Sequence, residues 1–350
     1  MLCALVMAGG KGERFWPLST DKKPKQFLNL LGDYTMIQMT VKRLEKIIPI
    51  ERIFIVTAKE YGDMVEENLP YLPKQNIIIE PVGKNTAPCI GLSAFIIDKY
   101  YKNSTIAVLP SDHLVEDEDL FRNTLVAAYE FVQGNDEAIV TIGMRPNRPE
   151  TGYGYIKFNQ LETKIDSFEI RKVDKFVEKP NLETAKQYLD EGDFLWNGGM
   201  FIWNIRTILG LTEKHLNKTY QVLREIAVTD DDKFDDVLEE NYRKIDSISV
   251  DYGIMEKSNN IYVIPGDFGW DDVGSWKSVK RIRKKDENGN ICSGDVQVIE
   301  ASNNTVISKS KPIIVAGLED VFVIESDDVL LISSSNYIEN IKEIKAAFNK

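Results

Sequence analysis

The chain has 350 residues, of which 43% are hydrophobic and 28% charged, and its formal net charge is -12. This length suits one large domain with a smaller one, and the composition is that of a globular protein. The acidic charge disfavours nucleic acid and anionic membranes as partners, because both repel an acidic surface. The three cysteines are far apart, so no close cysteine pair indicates a zinc or redox site.

Up to about residue 145, short β-branched runs alternate with amphipathic segments, the pattern of a parallel sheet covered by helices. The sequence predicts strands at Leu2–Met7, Arg52–Thr57, Asn76–Glu80, Thr105–Leu109 and Ala138–Ile142. It predicts helices at Met36–Ile48, Lys59–Leu69, Ala87–Tyr101 and Leu120–Val132. Because the apolar run at the N-terminus is short and has no basic residues before it, we expect a buried strand and a cytoplasmic protein.

The pattern then changes to a hairpin-like excursion followed by mixed elements. The predicted strands of this part are 152–158, Val173–Val177, Met200–Trp203 and Tyr262–Ile264. Its predicted helices are Leu182–Glu191, a group ending near Arg243, and Ser275–Lys284.

The polar run at residues 284–290 is the predicted linker, which gives a main domain at 1–284 and a small domain at 285–350. Five short strands are predicted beyond it, at Val296–Ile299, Thr305–Ser308, Pro312–Val315, Val321–Glu325 and Val329–Ile332. Their close spacing favours a few coils of a β-solenoid, closed by a helix at Ile338–Phe348. A fragment of a β-sandwich is the alternative.

A glycine-rich segment, Ala8-Gly9-Gly10-Lys11-Gly12-Glu13-Arg14, follows the first predicted strand. Glycines in such a place let backbone N–H groups face a phosphate. The segment lacks the Ser or Thr of a P-loop and the third glycine of a dinucleotide fingerprint. Prolines at 17 and 24 prevent an immediate helix, so the loop extends to Lys25. Its five cations suit a triphosphate, whereas a tight turn with solvated charges is the structural alternative.

Several motifs occur in the order found in one enzyme family. They are 9–18 (GGKGERFWPL), 24–28 (PKQFL), 80–90 (EPVGKNTAPCI), 110–113 (PSDH), 152–156 (GYGYI), 176–180 (FVEKP), 196–201 (WNGGMF), 251–257 (DYGIMEK) and 269–276 (GWDDVGSW). Together they resemble the nucleotidylyltransferases that make nucleotide sugars, in particular the mannose-1-phosphate guanylyltransferase branch. The resemblance covers roughly residues 1–285. The expected fold is a Rossmann-like, mostly parallel α/β sheet flanked by helices, with a small C-terminal β-solenoid domain that is left-handed and β-helix-like.

The resemblance also implies the activity: transfer of GMP from GTP to mannose 1-phosphate, with Arg14, Lys25, Lys179 and Asp112 as catalytic residues. The expected nucleotide-binding residues are Ala8, Gly9, Gly10, Gly12, Arg14, Lys25, Asn85, Thr86, Pro88, Ser111 and Asp112. The expected sugar-phosphate ligands are Tyr153, Gly154, Glu178, Lys179, Asn197 and Asp271. A homodimer is also expected.

Asp112 ends a central strand, where a carboxylate faces the ligand crevice of an α/β sheet and could hold Mg²⁺. The resemblance implies Asp271 as the second Mg²⁺ ligand, and Asp272 could equally cap the helix that follows. Sequence alone does not show that Asp112 and Asp271 meet.

Three other readings stay open at this point. The chain could use a different nucleotide or sugar phosphate, or it could be a non-catalytic sensor of sugar nucleotides. It could also be a glycosyltransferase of similar topology, although such an enzyme would lack the charged loop after the first strand. Because no histidine follows His215, we expect no histidine-rich isomerase domain of the kind found in bifunctional relatives.

Overall fold

The computed structural model of the chain describes residues 1–10, 12–177 and 179–348. Contacts between residues divide the chain into two compact units, each assembled from separate stretches of sequence. The first unit consists of Met1–Gly9, Thr40–Ser111 and Val115–Trp270, and the second of Gly10–Met39, Asp112–Leu114 and Asp271–Lys350.

Eleven strands occur in the described residues up to position 271. In chain order they are β1 (Leu2–Met7), β2 (Ile53–Ala58), β3 (Ile77–Glu80), β4 (Thr105–Pro110), β5 (Leu114–Val115), β6 (Ile139–Met144), β7 (Tyr155–Ile165), β8 (Phe168–Val177), β9 (Phe194–Asn204), β10 (Ile261–Gly266) and β11 (Trp270–Asp271).

The first unit contains a nine-stranded sheet in the order β3-β2-β1-β4-β9-β6-β10-β8-β7. Strands β3, β2, β1 and β4 are parallel neighbours, and β6 and β10 are a second parallel pair. Because β9 is antiparallel to both β4 and β6, all six of these strands run in the same direction. The predicted mostly parallel α/β sheet is therefore confirmed.

The helices in chain order are α1 (Met36–Leu44), α2 (Gly62–Asn68), α3 (Thr86–Tyr100), α4 (Glu118–Gly134), α5 (Leu182–Glu191), α6 (Ile205–His215), α7 (Asn217–Ala227), α8 (Phe234–Tyr242), α9 (Val250–Gly253), α10 (Trp276–Ile282) and α11 (Ile341–Phe348). Side chains cap several of them: Asp117 accepts from the Leu120 N–H at α4, and Asn181 from the Thr184 N–H at α5. Within the described part of the chain, none has the length and apolar content that crossing a bilayer requires.

The strands at the centre of the sheet are buried along almost their whole length. β1 and β4 read as continuous apolar runs, as expected for parallel strands covered on both faces. Leu5 of β1, Phe54 of β2 and Val108 of β4 belong to one buried cluster that also includes apolar residues of α3, α6, α7 and α8. This core holds the carboxyl ends of the parallel strands in place.

The second unit contains six further strands: β12 (Ile291–Ser293), β13 (Val296–Ile299), β14 (Thr305–Ile307), β15 (Ile313–Ala316), β16 (Val321–Glu325) and β17 (Leu330–Ser334). β12, β14 and β16 are joined in parallel, β13 pairs in parallel with β15, and β17 is antiparallel to β16. Successive strands from β12 to β16 thus alternate between two sheets.

Aromatic residues form the core of the second unit. The Phe15 and Trp276 rings meet edge to face with their centres 5.3 Å apart. The Trp276 indole N–H donates to the Trp16 carbonyl at 3.1 Å. Phe15, Trp276 and Phe322 belong to one buried cluster, so the glycine loop and the C-terminal strands share a core in this unit.

Element boundaries differ from prediction mainly around the excursion and at the first C-terminal strand. β8 begins at Phe168 and β9 at Phe194, several residues earlier than predicted, and β12 was not predicted. The domain boundary at 284/285 stays a prediction. At that point Asp286 accepts from the backbone N–H groups of Asn288 and Asn290 in a turn.

Candidate functional site

A cavity of about 500 Å³ in the second unit is lined by Arg14 and Lys25, two of the five loop cations. Its walls are formed by Gly12, Glu13, Arg14, Phe15, Lys25, Asp112, His113, Asp272, Gly274 and Lys342. Arg14, Lys25 and Asp112, which are three of the four predicted catalytic residues, are therefore brought together. Lys11 lies outside the described residues.

Lys25 and Asp112 form an ion pair at this cavity. The Lys25 ammonium lies 2.9 Å from Asp112 Oδ2 and donates to the Asp272 carbonyl at 2.6 Å. The Lys25 side chain is only 8% exposed and that of Asp112 29%. Burial alone would raise the pKa of Asp112, but the charge of Lys25 and then of His113 holds that pKa below its ordinary value. Asp112 is therefore an anion at neutral pH.

The glycine loop approaches Lys25 so closely that only glycine fits at one position. Gly12 has φ +55°, and a Cβ there would lie 2.5 Å from Lys25 Cβ and 2.7 Å from the Lys25 nitrogen. Gly10 also has a positive φ, +103°. Arg14 follows in a 3-10 turn, Glu13–Phe15, with its side chain exposed. The loop thus brings Arg14 and Lys25 to one cavity while leaving the arginine free to reach a ligand.

The two adjacent carboxylates Asp271 and Asp272 have different surroundings. Asp271 is buried, and its oxygens accept from the Val273 N–H, at 2.8 Å, and contact the Arg281 guanidinium. Asp272 lines the cavity that Asp112 also lines, and a Cβ on Gly274 would lie 2.8 Å from an oxygen of its carboxylate. Asp272 is therefore a site residue that the sequence-based assignment left out in favour of its neighbour. That Asp112 and Asp271 lie close enough to share a metal ion stays a prediction.

Three predicted nucleotide ligands lie in the first unit at the carboxyl ends of β1 and β4. The Ala8 N–H donates to the Val56 carbonyl at 2.8 Å, and the Ser111 N–H donates to the Met7 carbonyl at 3.1 Å. Gly9 follows Ala8, and no atom lies within 4 Å of the place where its Cβ would be. These residues occupy the strand ends where α/β sheets bind ligands.

The predicted base-binding residues form the start of α3. Asn85 has φ +69°, and its side chain accepts from the Thr86 N–H at 2.8 Å. Pro88 is buried in the first turn and needs no hydrogen-bond partner there. At the end of β3, the hydroxyl of Tyr242 donates to Glu80 at 2.5 Å, and burial raises the pKa of Glu80. The start of α3 is thus fixed by its Asn85 cap.

The predicted sugar residues Gly154 and Asn197 are direct neighbours in the first unit, since the Asn197 N–H donates to the Gly154 carbonyl at 2.8 Å. Beside them, Tyr153 stands edge to face against Trp196, at 5.2 Å between ring centres, and against Trp270, at 5.4 Å. Such an aromatic wall suits the apolar face of a sugar ring.

Two further predicted sugar-phosphate ligands follow β8. Lys179 is exposed and has φ +36°. Glu178 lies outside the described residues.

The donor set for a metal ion is small. Among the residues that the structure describes, no group of three or more His, Cys, Asp or Glu side chains could hold a metal by itself. Mg²⁺ at phosphate sites commonly takes one or two carboxylates and completes its coordination with waters and substrate phosphates.

An α/β sheet, a glycine loop after β1 and a cavity with cations and carboxylates are features of a nucleotidyl transferase. The family model described as nucleotidyl transferase matches residues 3–289, so the chain is a member of that family. It is 39% identical over 350 residues to a mannose-1-phosphate guanylyltransferase from Salmonella montevideo, covering 98% of this chain and 73% of the relative. A mannose-1-phosphate guanylyltransferase from Escherichia coli is 34% identical, with coverage of 98% and 75%.

Among solved structures, the chain is similar to a Thermus thermophilus protein described as a mannose-1-phosphate geranyltransferase. The TM-score is 0.86 at 31% identity, and the match covers 100% of this chain and 99% of that one. Taken together, these similarities mean that the chain belongs to the mannose-1-phosphate guanylyltransferase family.

Proposed function

We propose that this protein transfers GMP from GTP to mannose 1-phosphate, giving GDP-mannose and pyrophosphate. The observation that carries the proposal is the Lys25–Asp112 pair beside the glycine loop, which offers a buried cation and an anionic oxygen donor in one cavity. Support also comes from the names of the relatives that the chain matches over 98% of its length.

In the proposed reaction an oxygen of the sugar phosphate attacks the α-phosphorus of GTP in line with the departing pyrophosphate. One P–O bond forms and the bond to the β-phosphate oxygen breaks. No protein base is required, because the sugar phosphate is already an anion at neutral pH. Arg14 and Lys25 would neutralise the leaving pyrophosphate, and Lys179 would hold the phosphate of mannose 1-phosphate. Catalysis would thus come from positioning and charge stabilisation.

Enzymes of this family generally use a divalent metal ion, and we propose Mg²⁺. The donor chemistry fits, because Asp112 is held in its anionic form and Mg²⁺ prefers carboxylate oxygens together with phosphates. Asp112 would be one ligand. Asp272, or the sequence-predicted Asp271, would be the second. When bound, the ion would supply charge neutralisation at the phosphates.

A panel of nucleoside triphosphates and sugar 1-phosphates, followed by pyrophosphate release, tests the proposed substrates. GTP with mannose 1-phosphate should give the highest kcat/KM. A higher value for another pair, such as UTP with glucose 1-phosphate, would identify a sibling transferase instead. Binding of GDP-mannose without pyrophosphate release from any pair would identify a sensor.

The two adjacent carboxylates can be separated by D271N and D272N, compared in Mg²⁺ titrations of activity. If Asp272 holds the ion, D272N should raise the Mg²⁺ concentration for half-maximal activity by about tenfold or more, while D271N should mainly lower thermal stability through loss of the Arg281 contact. The reverse pattern would restore Asp271 as the ligand.

For the remaining residues, we propose that 285–350 form a short, left-handed β-solenoid domain beside a catalytic domain at 1–284. The alternation of β12 to β16 between two parallel-paired sheets supports this architecture. We further propose a cytoplasmic homodimer, whose mass in solution can be measured by light scattering.

A further inference from the structure

The 248–251 segment, which ends in the first residues of α9, is hydrogen-bonded to the predicted base-binding element. The Val250 N–H donates to Thr86 Oγ1 at 2.8 Å. The Ile248 carbonyl accepts from the Ala87 N–H at 3.1 Å. These bonds join the segment to the first turn of α3, so a shift of one would move the other.

The next residue of the same segment, Asp251, is bonded to the predicted sugar element. Asn197 Nδ2 donates to Asp251 Oδ1 at 2.8 Å, and Asn197 Oδ1 accepts from the Gly199 N–H at 3.0 Å. An amide nitrogen can only donate and an amide oxygen can only accept. The two bonds therefore fix which end of the Asn197 amide faces which way.

This arrangement leaves Asn197 with one N–H and one oxygen lone pair for other partners. Sugar hydroxyls both donate and accept, so they can use both groups, but only while the amide keeps its orientation. Without Asp251 the remaining bond to Gly199 would have to hold the amide alone, and a rotation by half a turn would exchange donor and acceptor.

We infer that Asp251 is a positioning residue of the sugar site: it orients the Asn197 amide, and through the 248–251 segment it keeps that amide in register with Thr86. The inference rests on the proposed function, specifically on Asn197 as a ligand of sugar hydroxyls. Asp251 itself contacts no substrate in this account and acts only through Asn197.

The test measures KM for mannose 1-phosphate, KM for GTP and kcat in D251A, D251N, N197A and the double variant N197A/D251A. D251A should raise KM for mannose 1-phosphate about tenfold, the effect of losing one hydrogen bond to a charged acceptor, and leave KM for GTP within about twofold. D251N should stay within about threefold of the parent, because its amide oxygen can still accept from Asn197.

The double variant decides whether Asp251 acts through Asn197. If it does, N197A/D251A should have the same KM for mannose 1-phosphate as N197A alone, because there is no amide left to orient. Asp246→Ala, which removes an exposed aspartate paired with Lys218, is the matched control and should leave all three constants unchanged. D251S replaces D251A in the comparison if D251A does not fold.

Three results would overturn the inference. They are additive effects of N197A and D251A, an equal rise of KM for GTP in D251A, and a parent-like KM for mannose 1-phosphate in N197A. Failure of the proposed function gives a different result, because the parent enzyme would then release no pyrophosphate from GTP and mannose 1-phosphate.

Discussion

Replacing Lys25 with methionine should lower both stability and turnover, for separable reasons. The Lys25 ammonium lies 2.9 Å from Asp112 Oδ2, and its side chain is 8% exposed. At that distance and an effective dielectric constant of about 20, the attraction is about 6 kcal/mol before desolvation is subtracted. Removing one partner of a buried pair costs about 3–5 kcal/mol, because the other charge stays buried without a partner. Since the Asp112 side chain is 29% exposed, we expect the low end of that range, about 3 kcal/mol.

Urea denaturation of K25M, D112N and K25M/D112N measures the stability effect. The double variant should be about 1–2 kcal/mol more stable than K25M, because it leaves no unpaired carboxylate. Equal stability of K25M and the double variant would show that the Asp112 carboxylate is not destabilising without its partner, which would refute the expected penalty.

Pyrophosphate release measures the other effect. K25M should lower kcat by more than about 100-fold, as for loss of a charge contact in the transition state. Adding D112N to K25M should not restore kcat, because neutralising Asp112 does not return a cation to the triphosphate. Near-normal turnover in K25M would remove Lys25 from the transfer step, whatever its effect on stability.

Three further predictions concern the loop, the pH dependence and the C-terminal strands. Gly12→Ala should lower kcat/KM for GTP about 100-fold or more, because its Cβ would collide with the Lys25 backbone. Gly32→Ala is the control, since no atom lies within 4 Å of the position that its Cβ would take. An active Gly12→Ala enzyme would contradict the loop geometry. Because the pKa of Asp112 is depressed, the stability that its ion pair contributes should be complete above pH 4 or so and lost as the pH falls through the depressed pKa. Since K25M removes the cation that depresses this pKa, it should move the acid limb of the pH–activity profile to higher pH. Backbone N–H donors lower the pKa of Glu325 to about 2, so Glu325→Gln should lower the melting temperature at pH 7. The difference in melting temperature from the parent should shrink below pH 4 or so, as the parent's carboxylate becomes protonated. A difference that does not change with pH would assign the effect to packing.

Long, continuous apolar strands were the part of the fold that sequence could predict. β1 was predicted with its observed bounds and β4 to within one residue, because parallel strands buried on both faces give a nearly unbroken hydrophobic signal. The start of β8 was missed for the opposite reason. Residues Phe168–Arg171 alternate apolar with charged side chains, a pattern that is itself typical of a half-exposed strand. The prediction overlooked this pattern because no continuous apolar run marks the segment, and the pairing with β7 shows it to be a strand.

β9 illustrates a limit of another kind. Its first half holds Trp196, Asn197 and two glycines, a composition that predicts a loop because glycine weakens isolated strands. The segment nevertheless belongs to the strand, since Tyr155 pairs with Trp196 and Gly143 with Asn197 across the sheet, although Gly199 has φ +64°. A segment with two glycines thus departed from strand propensity, and tertiary pairing formed the strand.

At the site, sequence identified residue types but not the directions in which neighbouring side chains point. Successive side chains on an extended segment face opposite sides, so the pair Asp271-Asp272 offers one carboxylate to each side. A motif match cannot determine which carboxylate faces the cavity. In the structure, Asp271 forms an ion pair with Arg281. Gly274 has no side chain and so leaves room for the carboxylate of Asp272.

The sequence assigned no role to Asp251, although its motif at 251–257 was recognised, because sequence does not show which side chains are in contact. Its relevance comes from a hydrogen bond to Asn197, a residue far away in sequence, and a single sequence carries no signal for such a pair. Sequence could have indicated that Asn197 requires such a partner, because a buried or half-buried amide in a ligand site must have its orientation fixed by a hydrogen bond. A predicted ligand amide such as Asn197 therefore implies a second residue that fixes its orientation, and in this structure that residue is Asp251.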